Sequence, residues 1–264
     1  MLKPNRFFSV ALVMILILSA CTSQSAPASS NTLSIMAATS LSECMKSFEK
    51  RFSKTNTDTA LSFSFAPSQQ LAQQILQGAS ADLFLSADAE PVQQLVEKGF
   101  IHPDEHGEFI ANRLLVIAHL HSPVVRLLDL TKPGVKILLA SPESPAGKYT
   151  RQLLDKLDRE FGENYKEKVL KNVVSYESTV RSVVTKVELG EADAGIVYQS
   201  DIYPSYTDKV RQILIPDSIN ITAAYHYGIL KTGSRQGDAR NFVELLLSSE
   251  GQDLFQQCGF LPIQ

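Results

Sequence analysis

The chain is 264 residues long, with 25 Lys and Arg against 28 Asp and Glu, a formal charge of −3 and 44% apolar residues. That length buries one large core or two ordinary ones, and the charge balance, with no Lys/Arg-rich run, excludes nucleic acid as a partner. Three Cys rule out a disulfide framework or an all-thiolate metal site, while 12 Pro and 13 Gly rule out a collagen-like or wholly disordered chain. Lys3 and Arg6 precede an apolar run over 7–18 and then Leu18-Ser19-Ala20-Cys21. A charged start, a short apolar stretch and small residues before a break predict a secretory signal over 1–20. The apolar run is too short for a spanning helix, which needs about 20 residues.

Leu-Ser-Ala-Cys resembles a bacterial lipobox, which implies cleavage before Cys21 and acylation of its sulfur. The Ser-, Ala-, Thr- and Pro-rich stretch that follows reads as a flexible tether, so 21–31 is assigned to the lipidated Cys and its tether. The expected protein is exported and lipid-anchored to a bacterial membrane, facing the periplasm or the extracellular side. Losing Lys3 and Arg6 with the leader takes the charge from −3 to −5.

From Thr32 onward apolar runs alternate with amphipathic stretches. A strand over 33–38 leads into a helix from Ser40 to about Phe52, with Ser40 and Glu43 matching the S-x-x-E capping box. A strand over 60–66 runs into Pro67-Ser68-Gln69-Gln70 and a helix over 71–76, ended by Gly78. A short strand over 82–86 is followed by a helix over 90–98 that stops at Gly99. His102-Pro103-Asp104-Glu105-His106 reads as a solvated loop, and 114–119 and 135–140 as strands. Pro145-Ala146-Gly147 precedes a helix over 148–161, and a strand over 173–176 leads to a helix over 179–189. A buried strand over 194–198, a late strand over 225–230 and one closing helix over 241–258 complete the pattern. Strands separated by helices predict an α/β fold with a largely parallel sheet. The length favours two lobes, with ligand held where strands end and helices begin.

Four such junctions share one chemistry: Ala38-Thr39-Ser40-Leu41, Ala66-Pro67-Ser68-Gln69, Ser144-Pro145-Ala146-Gly147 and Ser178-Thr179-Val180-Arg181. Each offers small or hydroxyl side chains and backbone N–H groups at a helix start, which together bind an anion without a formal cation. The plainer role for Ser40 and Ser68 is helix capping. A net negative charge does not exclude an anionic ligand, because it governs long-range steering rather than a local cage.

The motifs Ala37-Ala38-Thr39-Ser40-Leu41, Phe65-Ala66-Pro67-Ser68, Gly78-Ala79-Ser80-Ala81-Asp82-Leu83-Phe84-Leu85-Ser86-Ala87-Asp88, Pro145-Ala146-Gly147-Lys148-Tyr149 and Gly190-Glu191-Ala192-Asp193-Ala194-Gly195-Ile196-Val197-Tyr198 occur in this order. With them the chain, from about Leu33 to Ile263, resembles the molybdate-binding proteins of bacterial ABC importers, within the type II periplasmic binding proteins. The resemblance implies two lobes, each a central sheet flanked by helices, joined by two hinge crossovers: 32–113 plus 222–264, and 114–221. It implies an oxyanion, molybdate or tungstate, held by the hydroxyls of Ser40, Ser68 and Tyr198 and the backbone N–H groups of Ala146 and Val180. It also implies no direct metal ligand, no cofactor, no enzymatic activity, an ABC permease as partner and a monomeric protein. Two positions depart from the family pattern: Pro67 stands where a hydroxyl residue is frequent, and Thr179 where some members have Asp.

Other ligands and an enzyme remain as alternatives. Sulfate presents the same acceptors as molybdate, and Tyr198, Tyr203 and Tyr206 are the residue type that ligates ferric iron. His102 and His106 lack a third ligand nearby, and His119 and His121 are expected on opposite faces of a strand. Asp82 and Asp88 are expected to serve as caps rather than an acid/base pair. Lys148 and Arg181 adjoin the cage and are candidates for steering anions or for simple solvation. Ser40 or Ser68 as a hydrolase nucleophile would need a His in reach and a Gly-x-Ser-x-Gly elbow, which is absent. Cys44 and Cys258 are left as a possible pair in an oxidising compartment.

Overall fold

The structure is a computed structural model that describes residues 31–162, 164–202 and 208–263. The signal segment, Cys21, the tether up to residue 30, Tyr203 and Tyr206 lie outside the described residues. Strand β1 (Thr32–Ala38) pairs in parallel with β2 (Ala60–Ala66) and β3 (Leu83–Ser86). Helices α1 (Ser42–Phe52), α2 (Ser68–Leu76) and α3 (Ala89–Glu97) connect and cover these strands. Each is amphipathic at helical spacing: α1 buries Cys44, Met45, Phe48 and Phe52, and α2 buries Leu71, Ala72 and Ile75.

Strand β4 (Ile101–His119) is 19 residues long and is the spine of the molecule. Beyond it come β5 (Ile137–Ala140), α4 (Pro145–Phe161), α5 (Tyr165–Lys171), β6 (Val173–Glu177), α6 (Val180–Glu188), β7 (Ala194–Tyr198) and β8 (Val210–Ile213). The chain returns through β9 (Thr222–Leu230) and ends in α7 (Gln236–Leu247) and α8 (Ser249–Gln257). The first part of β4 pairs antiparallel with β9 as far as Arg113↔Thr222. From Leu114 onward its partners are β7 and β8, beginning with Leu114↔Tyr198. The buried apolar clusters divide at the same place: those on one side draw on residues 33–110 and 225–260, those on the other on residues 114–223.

Several local expectations change. The sheet is mixed rather than largely parallel, because β9 returns between β3 and β4 and runs antiparallel to both. The segment 102–106 is not a loop but part of β4, with the irregularity of register falling between Ile101 and His106. Pro103 sits inside that irregularity, where its missing N–H breaks no ladder bond. Residues 114–119 are accordingly the end of this long strand rather than a separate one. Helix α4 starts at Pro145, three residues earlier than the apolar pattern indicates, because Ser144 caps it and proline suits the first helical turn. The closing helix is two helices: Ser248 leaves the helical region (φ −67°, ψ 158°), and its side chain accepts from Gly251 N–H at 3.0 Å. Helix α5 and strand β8 have no counterpart in the sequence expectations.

Cys44 and Cys258 form a disulfide (Cα–Cα 5.7 Å), tying α1 to the chain end after α8. Asp82, buried, accepts from Ser34 N–H and Arg235 N–H at 2.8 and 2.9 Å, whereas Asp88 caps α3. Neither forms a carboxylate pair with the other. No helix of the described residues is long and apolar enough to cross a membrane.

Candidate functional site: donor-rich helix starts at the change of strand partner

The register brings the four sequence junctions to one region. On one side, Ala38 of β1 lies opposite Ala66 of β2, so Ser40 and Ser68 emerge side by side, each two residues beyond the paired alanines. On the other, Ala140 of β5 lies opposite Glu177 of β6, with β7 parallel to β5, so α4, α6 and Tyr198 all follow strands ending at one edge. Tyr198 in turn pairs with Leu114, where β4 changes partner. Carboxyl ends of parallel strands thus meet from both sides of that point, the place where open α/β sheets hold ligands.

Ser40 lies in a 3-10 turn over Thr39–Leu41, and neither that turn nor α1 has a side-chain cap. The expected Ser40–Glu43 capping box is therefore absent. Glu43 turns to Lys46 at 2.8 Å, and the Ser40 hydroxyl lies 3.0 Å from the hydroxyl of Tyr225. Ser68 is the first residue of α2 rather than its cap, a position held by Pro67. The Ser68 hydroxyl accepts from Ala87 N–H at 3.0 Å. Neither serine is hydrogen-bonded to a histidine among the described residues, so no nucleophile–base pair is assembled on either.

At α4 the inventory of backbone donors is short. Pro145 has none, Gly147 N–H goes to the Ser144 hydroxyl at 3.1 Å, and Lys148 N–H goes to the Ser144 carbonyl at 2.9 Å. Ala146 N–H is the donor this arrangement leaves over. At α6, Thr179 is the cap and accepts from Ser182 N–H at 3.1 Å, so Val180 contributes the first helical N–H. Small side chains at Ala146 and Gly147 let the backbone close up: a Cβ on Gly147 would run into the Ser141 carbonyl.

Tyr198 is buried, and desolvation raises its hydroxyl above the ordinary tyrosine range, so it remains a proton donor. Charges on Tyr225, Tyr149, Asp201 and Asp88 act on it in the same direction. These groups come from β9, α4, the turn after β7 and the start of α3, which places both sides of the molecule around Tyr198. Tyr149 is raised by desolvation and then by the charge of Asp88. Asp201 accepts from Tyr198 N–H at 3.2 Å and is pushed up to about 7, chiefly by desolvation, against the lowering effects of that bond and of Arg181. Arg181 also lowers Glu43 of α1, so this cation lies within electrostatic reach of both sides. Lys148 is exposed, as a solvated lysine is.

Sequence reasoning missed four residues here: Asn112, Tyr149, Asp201 and Tyr225. Asn112 had a usable signal, since it is a polar residue inside the apolar run Phe109-Ile110-Ala111-Asn112, and it is fully buried. Its amide donates to the Ser200 hydroxyl at 2.8 Å, and its carbonyl accepts from Arg113 N–H at 3.0 Å. The other three follow from pairing between segments far apart in the chain. His119 and His121, expected on opposite faces, are in ring contact at 5.5 Å, because the chain turns after His119. No group of three or more His, Cys, Asp or Glu among the described residues is arranged to hold a metal ion.

The family described as bacterial extracellular solute-binding protein matches residues 33–261. The molybdate-binding protein ModA of Mycobacterium tuberculosis is 32% identical over 263 residues, 95% of each chain. The Bacillus subtilis protein YvgL, assigned as an ABC transporter substrate-binding lipoprotein, is 31% identical over 266 residues, 98% of this chain and 99% of its own. Among solved structures, the substrate-binding domain assigned to a molybdenum ABC transporter of Clostridium difficile superposes with a TM-score of 0.77 at 32% identity, covering 88% of this chain and 99% of that one. The fold is the two-lobed one of the periplasmic binding proteins, whose members carry a solute without transforming it. This chain belongs to the bacterial extracellular solute-binding protein family.

Proposed function

We propose that this chain captures molybdate in the cleft between its two lobes and delivers it to an ABC permease. The observation that carries the proposal is the convergence of four donor-rich helix starts and Tyr198 on the point where β4 changes partner. The cage comprises the hydroxyls of Ser40, Ser68 and Tyr198 and the N–H groups of Ala146 and Val180. Each donates to an oxygen of the anion, and each such bond to a charged acceptor contributes about 1.5–3 kcal/mol. Five of them sustain about micromolar or tighter binding after the cost of association.

The lobes are residues 32–113 with 222–264, and residues 114–221. The chain crosses between them in β4 and again just before β9, and closure about these crossings sequesters the anion. Tungstate, with the same charge and oxygens, binds in the same way. Ferric iron is disfavoured, because no group of three or more His, Cys, Asp or Glu among the described residues is arranged to hold a metal ion. The lipobox-like Leu18-Ser19-Ala20-Cys21 and the tether behind it support acylation at Cys21, export and anchoring of a monomer at the membrane. The name of the Bacillus subtilis relative as a lipoprotein supports the same view.

The experiment is a thermal-shift and calorimetry panel with molybdate, tungstate, sulfate, inorganic phosphate and ferric iron. Molybdate and tungstate are expected to raise the melting temperature at concentrations where phosphate does nothing. Equal shifts from phosphate, or none from molybdate, refute the proposal. Replacing Cys21 by Ser is expected to abolish incorporation of labelled fatty acid; retained labelling refutes the anchor.

A further inference from the structure

We infer that Tyr225 is a positioning residue that donates its hydroxyl hydrogen to Ser40 and so turns the Ser40 hydrogen into the cleft. The inference rests on Ser40 contacting the oxyanion as proposed above, and it assigns a role to a residue outside the cage.

Tyr225 is 1% exposed, and its ring is held edge-on by Phe109 and Phe260, with centroids 6.4 and 5.5 Å away. Its hydroxyl is therefore fixed in space, 3.0 Å from Ser40 Oγ. The chemistry of the two hydroxyls sets the direction of that bond. A phenol is more acidic than an aliphatic alcohol and is the better donor of the two. Asn112 stands near the Tyr225 hydroxyl and, like Ser40, acts on it against the upward push of burial. The Asn112 carbonyl is occupied by Arg113 N–H, so its amide nitrogen, already donating to Ser200, is the part that faces the hydroxyls. The hydrogens then run in one direction, from Tyr225 to Ser40 and out to the anion.

Ser68 repeats the device with a backbone donor, since its hydroxyl accepts from Ala87 N–H. Both cage serines thus receive a hydrogen bond from the protein and present their own hydrogen to the cleft. A cage wired in this way favours an anion whose oxygens all lack protons. Hydrogen phosphate, which carries an O–H at neutral pH, is left at each serine with only the lone pair that the protein's own hydrogen bond does not use. With Phe at position 225, Ser40 is free to rotate and accept that proton.

The test is a double-mutant cycle on the full-length mature protein with Tyr225→Phe, Ser40→Ala and the two combined. Calorimetry is run with molybdate and with inorganic phosphate, and thermal melting without ligand checks the fold. Phe keeps the ring packing, so the ligand-free melting temperature is expected to stay close to that of the parent. Tyr225→Phe is expected to weaken molybdate about tenfold, the lower end for a hydrogen bond to a charged acceptor, and to narrow its preference over phosphate. In the Ser40→Ala background the second change is expected to cost nothing more. Additive losses, or an unaltered preference over phosphate, overturn the role given to Tyr225. Ser40→Ala with unchanged molybdate binding overturns the cage itself, a separate result that needs no Tyr225 variant.

Discussion

Gly147 stands directly behind the Ala146 donor, and replacing it by Ala tests whether the position of α4 matters to the anion. A Cβ there would collide with the Ser141 carbonyl oxygen and lie 2.7 Å from its carbon and 2.9 Å from Pro142 Cα. Carbon atoms rest about 3.5–4.0 Å apart, so the first turn of α4 must retreat by about 1 Å. All the opposing atoms are backbone, and none can swing aside as a side chain would. Overpacking of this kind costs about 1–3 kcal/mol of stability. The same shift takes Ala146 N–H beyond hydrogen-bonding range of an anion held by the opposite lobe, at about 1.5–3 kcal/mol, or roughly tenfold to 150-fold in Kd. Urea unfolding measures the first effect and calorimetry with molybdate the second. A Gly147→Ala variant with the parent's Kd and unfolding midpoint refutes both the close approach and the part given to α4.

Three further outcomes follow from the same geometry. Tyr198→Phe retains the buried ring and loses one donor, so molybdate affinity measured by calorimetry should fall by about 1.5–3 kcal/mol with little change in melting temperature. Asp201, raised to about 7, is ionised above that pH beside the cage, so molybdate binding should weaken as pH rises through about 7, and Asp201→Asn should flatten the profile. In the ligand-free protein the folded state holds this proton more tightly than the unfolded chain does. Its contribution to stability therefore declines as pH rises from the ordinary carboxylate range towards about 7 and levels off above it, as melting against pH will show. Cys44→Ala with Cys258→Ala opens a link between residues 214 apart in sequence and should cost about 2–5 kcal/mol in urea unfolding. Molybdate affinity in that variant should persist wherever the protein is folded.

Much of the fold is written locally. Alternating apolar runs and amphipathic stretches mark the strands β1, β2, β3, β5, β6 and β7, because each element must bury one stripe or face and the period shows which. The junctions beside Ser40, Ser68, Ala146 and Val180 were legible for the same reason: proline, small residues and hydroxyls at a strand end act on the nearest backbone groups. The reading fails where a distant segment supplies the partner. Segment 102–106 looks like a loop until β9 comes to lie beside it, and 241–258 looks like one helix until the Ser248 hydroxyl captures Gly251 N–H.

Ser40 shows most clearly where the two kinds of information part. Its spacing to Glu43 forms a capping box on paper, yet its hydroxyl bonds to Tyr225, 185 residues away. A cap contributes about 1 kcal/mol, and burying the Tyr225 ring brings its hydroxyl to Ser40 for reasons that have nothing to do with α1. Composition, periodicity and junction chemistry specify an α/β chain with donor-rich helix starts. Which of these groups meet, as Ser40 and Tyr225 do, is decided when β9 inserts between β3 and β4, because a hydroxyl bonds to the partner that packing delivers.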